Sequence, residues 1–247
     1  MRGETLHYGN IARSAGESVA PELWPDHAWV PALGCTGGTW IDVVGGHDYT
    51  LPDGATWTQH GTKFAHATYL SITLRKLPNI AGYSWVFGIK APAPPATGPN
   101  VQPLKFCGHD IVSWDHVDAG YVGAVSGAAA PWPKVKFTSS AVRTLAFSCL
   151  GTVNTLADDA GLVGAYSYSS STNTGIVNTN SVATLANYEY GLLHIYHHPL
   201  NVAELLRVAA DPLLPFRRRR SVKYFIPAAG GFKPSWWTPP KLIGAGY

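Results

Sequence analysis

Three groups of residues in this chain have side chains capable of chemistry: histidines, neighbouring carboxylates and a run of arginines. The tightest histidine group is His194, His197 and His198. On a strand His194 and His197 point to opposite faces, and His198 precedes Pro199 in a turn, so the three cannot converge on a metal without a distorted backbone. They are read as polar residues at a strand end, and no metal site is predicted. The near pairs of acids, Asp115 with Asp118 and Asp158 with Asp159, lie beside turn-like residues. They are read as solvated turn acids rather than the acid and base of a glycan-cleaving site, which stand about 5–9 Å apart across the scissile bond. The sequence holds neither a Gly-x-Ser-x-Gly elbow nor a phosphate-binding Gly-rich loop, so acyl and phosphoryl transfer have no visible machinery. No catalytic residue and no cofactor is predicted, and the chain is read as a non-enzyme.

The arginines carry a sharper expectation. Arg217, Arg218, Arg219 and Arg220 form an electrostatic footprint for phosphate. The residues beyond them are of another kind: Tyr224, Phe225, Ile226, Trp236, Trp237, Leu242, Ile243 and Tyr247, interleaved with Pro227, Pro234, Pro239 and Pro240. Apolar side chains on an extended, proline-stiffened segment are costly in water and suit a peptide that docks in a groove of a neighbouring subunit. Proline lowers the entropy lost on docking. Arg217 to Arg220, Tyr224, Phe225, Trp236, Trp237, Ile243 and Tyr247 are therefore the predicted partner-binding residues, and nucleic acid is the weaker alternative. Exposed aromatics such as Trp114, Tyr121 and Trp132 could stack on a glycan. Trp40 and Trp85, in strand-like runs, and Trp24 and Trp132, beside proline, are also explained by packing alone.

These residues need a scaffold, and composition limits its kind. The 247 residues include 26 glycines and 19 prolines, with 46% apolar and 13% charged side chains. So many turn formers point to short strands. A soluble monomer carries about 25% charged residues, so half that fraction points to a surface covered by partners in an assembly, with copies of the chain itself among them. No apolar stretch is long enough to span a bilayer, and the N-terminal residues lack the apolar core of a secretory signal. Synthesis in a cytoplasm is expected. Cys35, Cys107 and Cys149 are widely spaced and odd in number, which fits core thiols rather than disulfides or zinc ligands. Formal charge is +3, but residues 216–247 hold seven basic groups and no acid, while 1–215 hold eleven basic against fifteen acidic, a net of −4. An acidic body and a basic arm attract each other, within one chain or between neighbours.

Residues 1–23 show no sustained period and are read as a loosely held N-terminal segment that orders only against something else. The body is placed at 24–215 and the basic Pro/Trp-rich arm at 216–247. Strand-like runs recur at 39–44, 68–74, 83–90, 103–107, 120–125, 134–138, 144–150, 162–168 and 188–196, and turn residues separate them. Ala91 to Pro99, rich in proline, is read as a long surface loop. One helix is signalled near residue 201: Asn201 with Glu204 makes a capping box, Val202, Leu205, Leu206 and Ala209 mark one face, and Asp211-Pro212 stops it. The expected fold is all-β: a concanavalin-like, jelly-roll β-sandwich with one short C-terminal helix and extended terminal arms.

Two segments carry a family resemblance. Trp29-Val-Pro-Ala-Leu-Gly-Cys-Thr-Gly-Gly-Thr-Trp-Ile-Asp42 is similar to the opening segment of LamG/concanavalin A-like domain proteins of tailed bacteriophages, and Gly191 to Leu205, continuing to Ala210-Asp-Pro212, resembles their last strand and helix. The pattern implies core positions for Leu193 and Ile195, a strand end at Tyr196 and a buried Leu200. The sandwich hydrolases of related fold place acids on one strand as Glu-x-Asp-x-x-Glu, which this chain lacks. The Leu-Pro-Phe-Arg-Arg-Arg-Arg run at 214–220 is similar to the tail that phage members append. The resemblance implies a virion structural protein, tail-associated or decorating the capsid, whose partners are other virion proteins. A host-surface glycan-binding module of the adsorption apparatus is the alternative.

Overall fold

The computed structural model describes residues 11–31, 33, 35–51, 54–58, 60–63, 70–73, 82–90, 104–106, 109–114, 121–125, 134–136, 142–167, 176–179 and 189–219. In chain order the strands are β1 (His27–Trp29), β2 (Cys35–Thr36), β3 (Thr39–Trp40), β4 (Tyr49–Thr50), β5 (Thr56–Thr58), β6 (Gly61–Lys63), β7 (Leu70–Thr73), β8 (Gly82–Lys90), β9 (Leu104–Phe106), β10 (His109–Trp114), β11 (Tyr121–Val125), β12 (Lys134–Lys136), β13 (Val142–Leu150), β14 (Val153–Asp158), β15 (Gly161–Ser167), β16 (Ile176–Thr179) and β17 (Glu189–Tyr196). They form an eight-stranded sheet in the order β15-β14-β13-β8-β17-β6-β5, with β1 also paired to β17. A six-stranded sheet runs β12-β11-β10-β9-β16-β7, and a small sheet joins β2, β3 and β4. The chain is an all-β, jelly-roll-like sandwich, with one short α-helix among the described residues, as its strand pattern predicts.

Alternation along the central strands gives the large sheet two unlike faces. Register places Leu156, Phe147, Trp85, Ile195 and His27 side by side, and Leu145, Phe87, Leu193 and Trp29 in the next row. These bulky side chains are all buried, and the Trp85 and Phe147 rings stack at 5.2 Å. Leu193 and Ile195 thus occupy the core positions expected of them. On the opposite face the corresponding row is Ala157, Ala146, Val86, His194 and Ala28, small residues apart from the histidine, which leave room for a layer above.

That layer is the helix α1 (Val202–Ala210), which packs on β13, β14 and β15. Its capping box is complete: Glu204 N–H donates to the Asn201 side chain, and Asn201 N–H donates to the Glu204 carboxylate. The buried face is Leu205, Val208 and Ala209, with Leu206 partly buried. Val202, expected on that face, is 47% exposed; at 3.6 residues per turn it falls to one side of the stripe formed by Leu205, Val208 and Ala209. Leu200 is tied down from both sides, donating through its N–H to Ser84 Oγ and accepting from Ser148 Oγ, each at 2.7 Å.

Candidate functional site

Beyond α1 the chain turns at Asp211 and makes a single 3-10 turn at Leu214–Phe216. Phe216, expected to begin an arm outside the body, is instead 1% exposed, wedged between the rings of Trp24 at 5.4 Å and His194 at 5.3 Å. The N-terminal segment runs alongside. Ala12 N–H donates to Phe216 O, Val19 N–H to Arg217 O and Arg219 N–H to Glu17 O, at 2.7–3.0 Å. Ser18 is fully buried; its hydroxyl donates to Pro215 O at 2.6 Å and accepts from Ala20 N–H at 3.0 Å. The residues from 11 to 23, expected to be loosely held, thus order against the root of the chain's own arm. Small side chains make this close approach possible: Ala12, Ser18 and Ala20 are all buried.

Two of the predicted partner-binding arginines meet acids of their own chain. Arg217 Nη2 lies 2.8 Å from Asp211 Oδ2, and Arg218 Nε lies 3.8 Å from Glu17 Oε2. These side chains are a third to a half exposed, so each pair is worth about 0–1 kcal/mol after solvent screening. Full burial of a Phe side chain contributes about 1.5–3 kcal/mol. Phe216 and the backbone lacing, not the charges, hold the root in place.

Beside this clasp lies a half-open cavity of about 250 Å³. Ile11, Trp24, Leu33, Val43 and Phe216 give it an apolar lining, which Ala12 and the exposed Arg13 complete. Arg219, the last residue laced into the clasp, follows the cavity-lining Phe216 by three positions.

The cavity's far wall depends on a turn organised by Asp42. Its carboxylate, side chain fully buried, accepts hydrogen bonds from the N–H groups of Ala28, Val44, Gly45 and His47, and pairs with His27 Nδ1 at 2.9 Å. Burial alone would raise its pKa; the His27 bond and the N–H groups of Ala28, Gly45 and Val44 outweigh it and hold the pKa below the usual carboxylate value. Gly45 is required sterically, because a Cβ there would fall 2.1 Å from His27 Nδ1 and 2.6 Å from Asp42 Oδ2. The arrangement is structural: it locks β1 to the turn that presents Val43 and Val44. Sequence alone assigns this role to neither Asp42 nor His27, although Asp42 with Gly45 and Gly46 just beyond is a recognisable side-chain-capped turn.

His194, expected at a polar rim, is fully buried, and neither ring nitrogen has a hydrogen-bond partner among the described residues. Burial pushes its pKa down to about 3, so it packs as a neutral ring against Phe216. The cause is simple: both faces of β17 are covered, one by the core and the other by the arm root. His197 lies across the strand with its ring 5.2 Å from that of His27, and no group of three metal-ligating side chains occurs among the described residues. Asp158 is buried rather than solvated; Arg143 pairs with it and with Asp159, and Asp158 Oδ1 accepts from Ala160 and Gly161 N–H, closing the β14–β15 turn. Cys149 is a buried free thiol, as expected, and burial raises its pKa.

Trp114 and Tyr121 lie at the same end of the β10–β11 pair, where Trp114 is opposite Val122. Trp132, Asp115, Asp118, Arg220, Tyr224, Phe225, Trp236, Trp237, Ile243, Tyr247, Cys107 and the 91–99 loop lie outside the described residues.

No protein-family model and no curated protein matches this chain. Solved structures do. The chain is similar to the Trypanosoma rangeli sialidase in complex with sialic acid, with a TM-score of 0.58 and 12% identity over 75% of this chain and 32% of that one. It is also similar to the receptor-binding domain of botulinum neurotoxin type G, with a TM-score of 0.56 and 10% identity over 74% of this chain and 50% of that one. The chain spans about a third of the sialidase's length, and these likenesses establish a shared β-sandwich fold.

Proposed function

We propose that this chain is a non-enzymatic structural subunit of a tailed-bacteriophage virion, tail-associated or capsid-decorating, that is tied to its neighbours through the C-terminal arm. The observation that supports it most is the clasp. Phe216 is buried and the backbone of 216–219 is hydrogen-bonded to residues 12–19, so the arm's root is built into the sandwich. A tether that transmits load needs such a root, because a flexible junction would let the arm pull free of a fixed geometry. Copy number decides between this role and others. Quantitative mass spectrometry of purified particles is expected to find the chain at a fixed, symmetry-related number per particle; its absence from particles would end this reading.

The alternative is a host-surface glycan-binding module of the adsorption apparatus. It is favoured by the position of Trp114 and Tyr121 at one end of adjacent strands, within a fold shared with a toxin receptor-binding domain. Glycan-array binding that is lost on Trp114→Ala, with folding retained, would establish it. A hydrolytic role has less support: Arg143 and the turn N–H groups occupy Asp158, and Asp42 is consumed by its own turn. Loss of glycan cleavage on Asp158→Asn, in a protein with demonstrable activity, would reverse that judgement.

A further inference from the structure

The cavity beside Phe216 is the least explained feature of the described molecule. At about 250 Å³ it is smaller than the roughly 300–1,000 Å³ of cofactor-sized sites, which suits one large side chain rather than a free ligand. Its lining suits an aromatic one: Trp24 and Phe216 are aromatic, Ile11, Leu33 and Val43 are aliphatic, and Arg13 is the one charged residue among them.

We propose that this cavity receives one indole of the Trp236–Trp237 pair from the C-terminal arm of a second copy of the chain, linking copies head to tail. The proposal deepens the arm-tether function and rests on it. Trp236 lies seventeen residues beyond Arg219. A fully extended stretch of that length would reach roughly 50 Å, about the width of a domain of this size, which is enough to span to a neighbour. The arm of one copy seated in the cavity of the next makes a heterologous contact, which closes into rings or continues as a filament.

The full-length chain tests this by sedimentation velocity at micromolar concentration. Wild type is expected to self-associate. Val43→Trp, which fills the cavity, and the double variant Trp236→Ala/Trp237→Ala, which empties the arm, are each expected to weaken self-association at least tenfold. Mixed one to one, they are expected to recover a dimer, because the first keeps a working arm and the second a working cavity. A monomeric wild type, association unchanged in either variant, or a mixture that stays monomeric would each overturn the proposal. Leu33→Trp replaces Val43→Trp if thermal melting shows the latter misfolded. The virion function is read separately, from particle content, so a chain that enters particles while monomeric in solution would overturn the cavity assignment alone.

Discussion

At the scale of single residues, buried polar groups have the sharpest consequences. Asp42 accepts four backbone N–H groups and one histidine, and leaving a buried donor unsatisfied costs about 1–3 kcal/mol. Asp42→Ala is expected to lose about 3 kcal/mol or more, and Gly45→Ala to lower the melting temperature by displacing the same His27–Asp42 bond; denaturant titration measures both. His194 gives a pH signature. Above the unfolded-state pKa of about 6.5 both states are neutral and nothing changes. As pH falls below that value the unfolded chain binds a proton that the folded chain refuses down to about pH 3, so stability drops by up to about 1.4 kcal/mol per pH unit. His194→Leu should flatten the melting curve between pH 6.5 and 4, and an unchanged slope would assign it to another group. Asp42 acts in a separate window, since its depressed pKa makes stability present above about pH 3.9 and lost below it. Neither role is legible from composition, because burial of a histidine depends on what covers the strand's second face.

At the scale of elements, legibility follows local signals. The α1 cap is readable because Asn201 and Glu204 meet within one turn, and Asn201→Ala is expected to cost about 1 kcal/mol, or roughly 2–4 °C in melting temperature. The long strands β8, β13 and β17, eight or nine residues each, are readable because aromatic and aliphatic residues dominate them. The β14 strand escapes a reading by pattern because Asp158 looks like a turn acid and only Gly151-Thr152 separates the strand from β13. The clasp is illegible for a different reason: Ala12, Ser18 and Ala20 bury because they are small enough to let two backbones approach, and no period marks them. The clasp carries its own prediction. Phe216→Ala should cost about 3–5 kcal/mol, as large aromatic truncations do, whereas Arg218→Ala should cost less than about 1 kcal/mol. Calorimetry showing the reverse order would place the root's stability in its charges.

At the scale of the whole molecule, an acidic sandwich carries a basic arm whose root is locked into the fold and whose aromatic stretch begins only after Arg219. The fold class is legible from strand spacing and turn residues. The position of the boundary is not, since the sequence changes character at Phe216 while the tertiary contacts extend to Arg219. That difference sets where to cut. Removing residues 216–247 would take Phe216 and expose His194, confusing misfolding with lost attachment; removing 220–247 spares both. The most direct test of the arm as tether is therefore to supply the 1–219 chain in place of full length during particle assembly and to count its copies in purified particles. A tethering arm predicts a folded chain with a near-normal melting temperature that is missing from the particles. Incorporation at full copy number would contradict it.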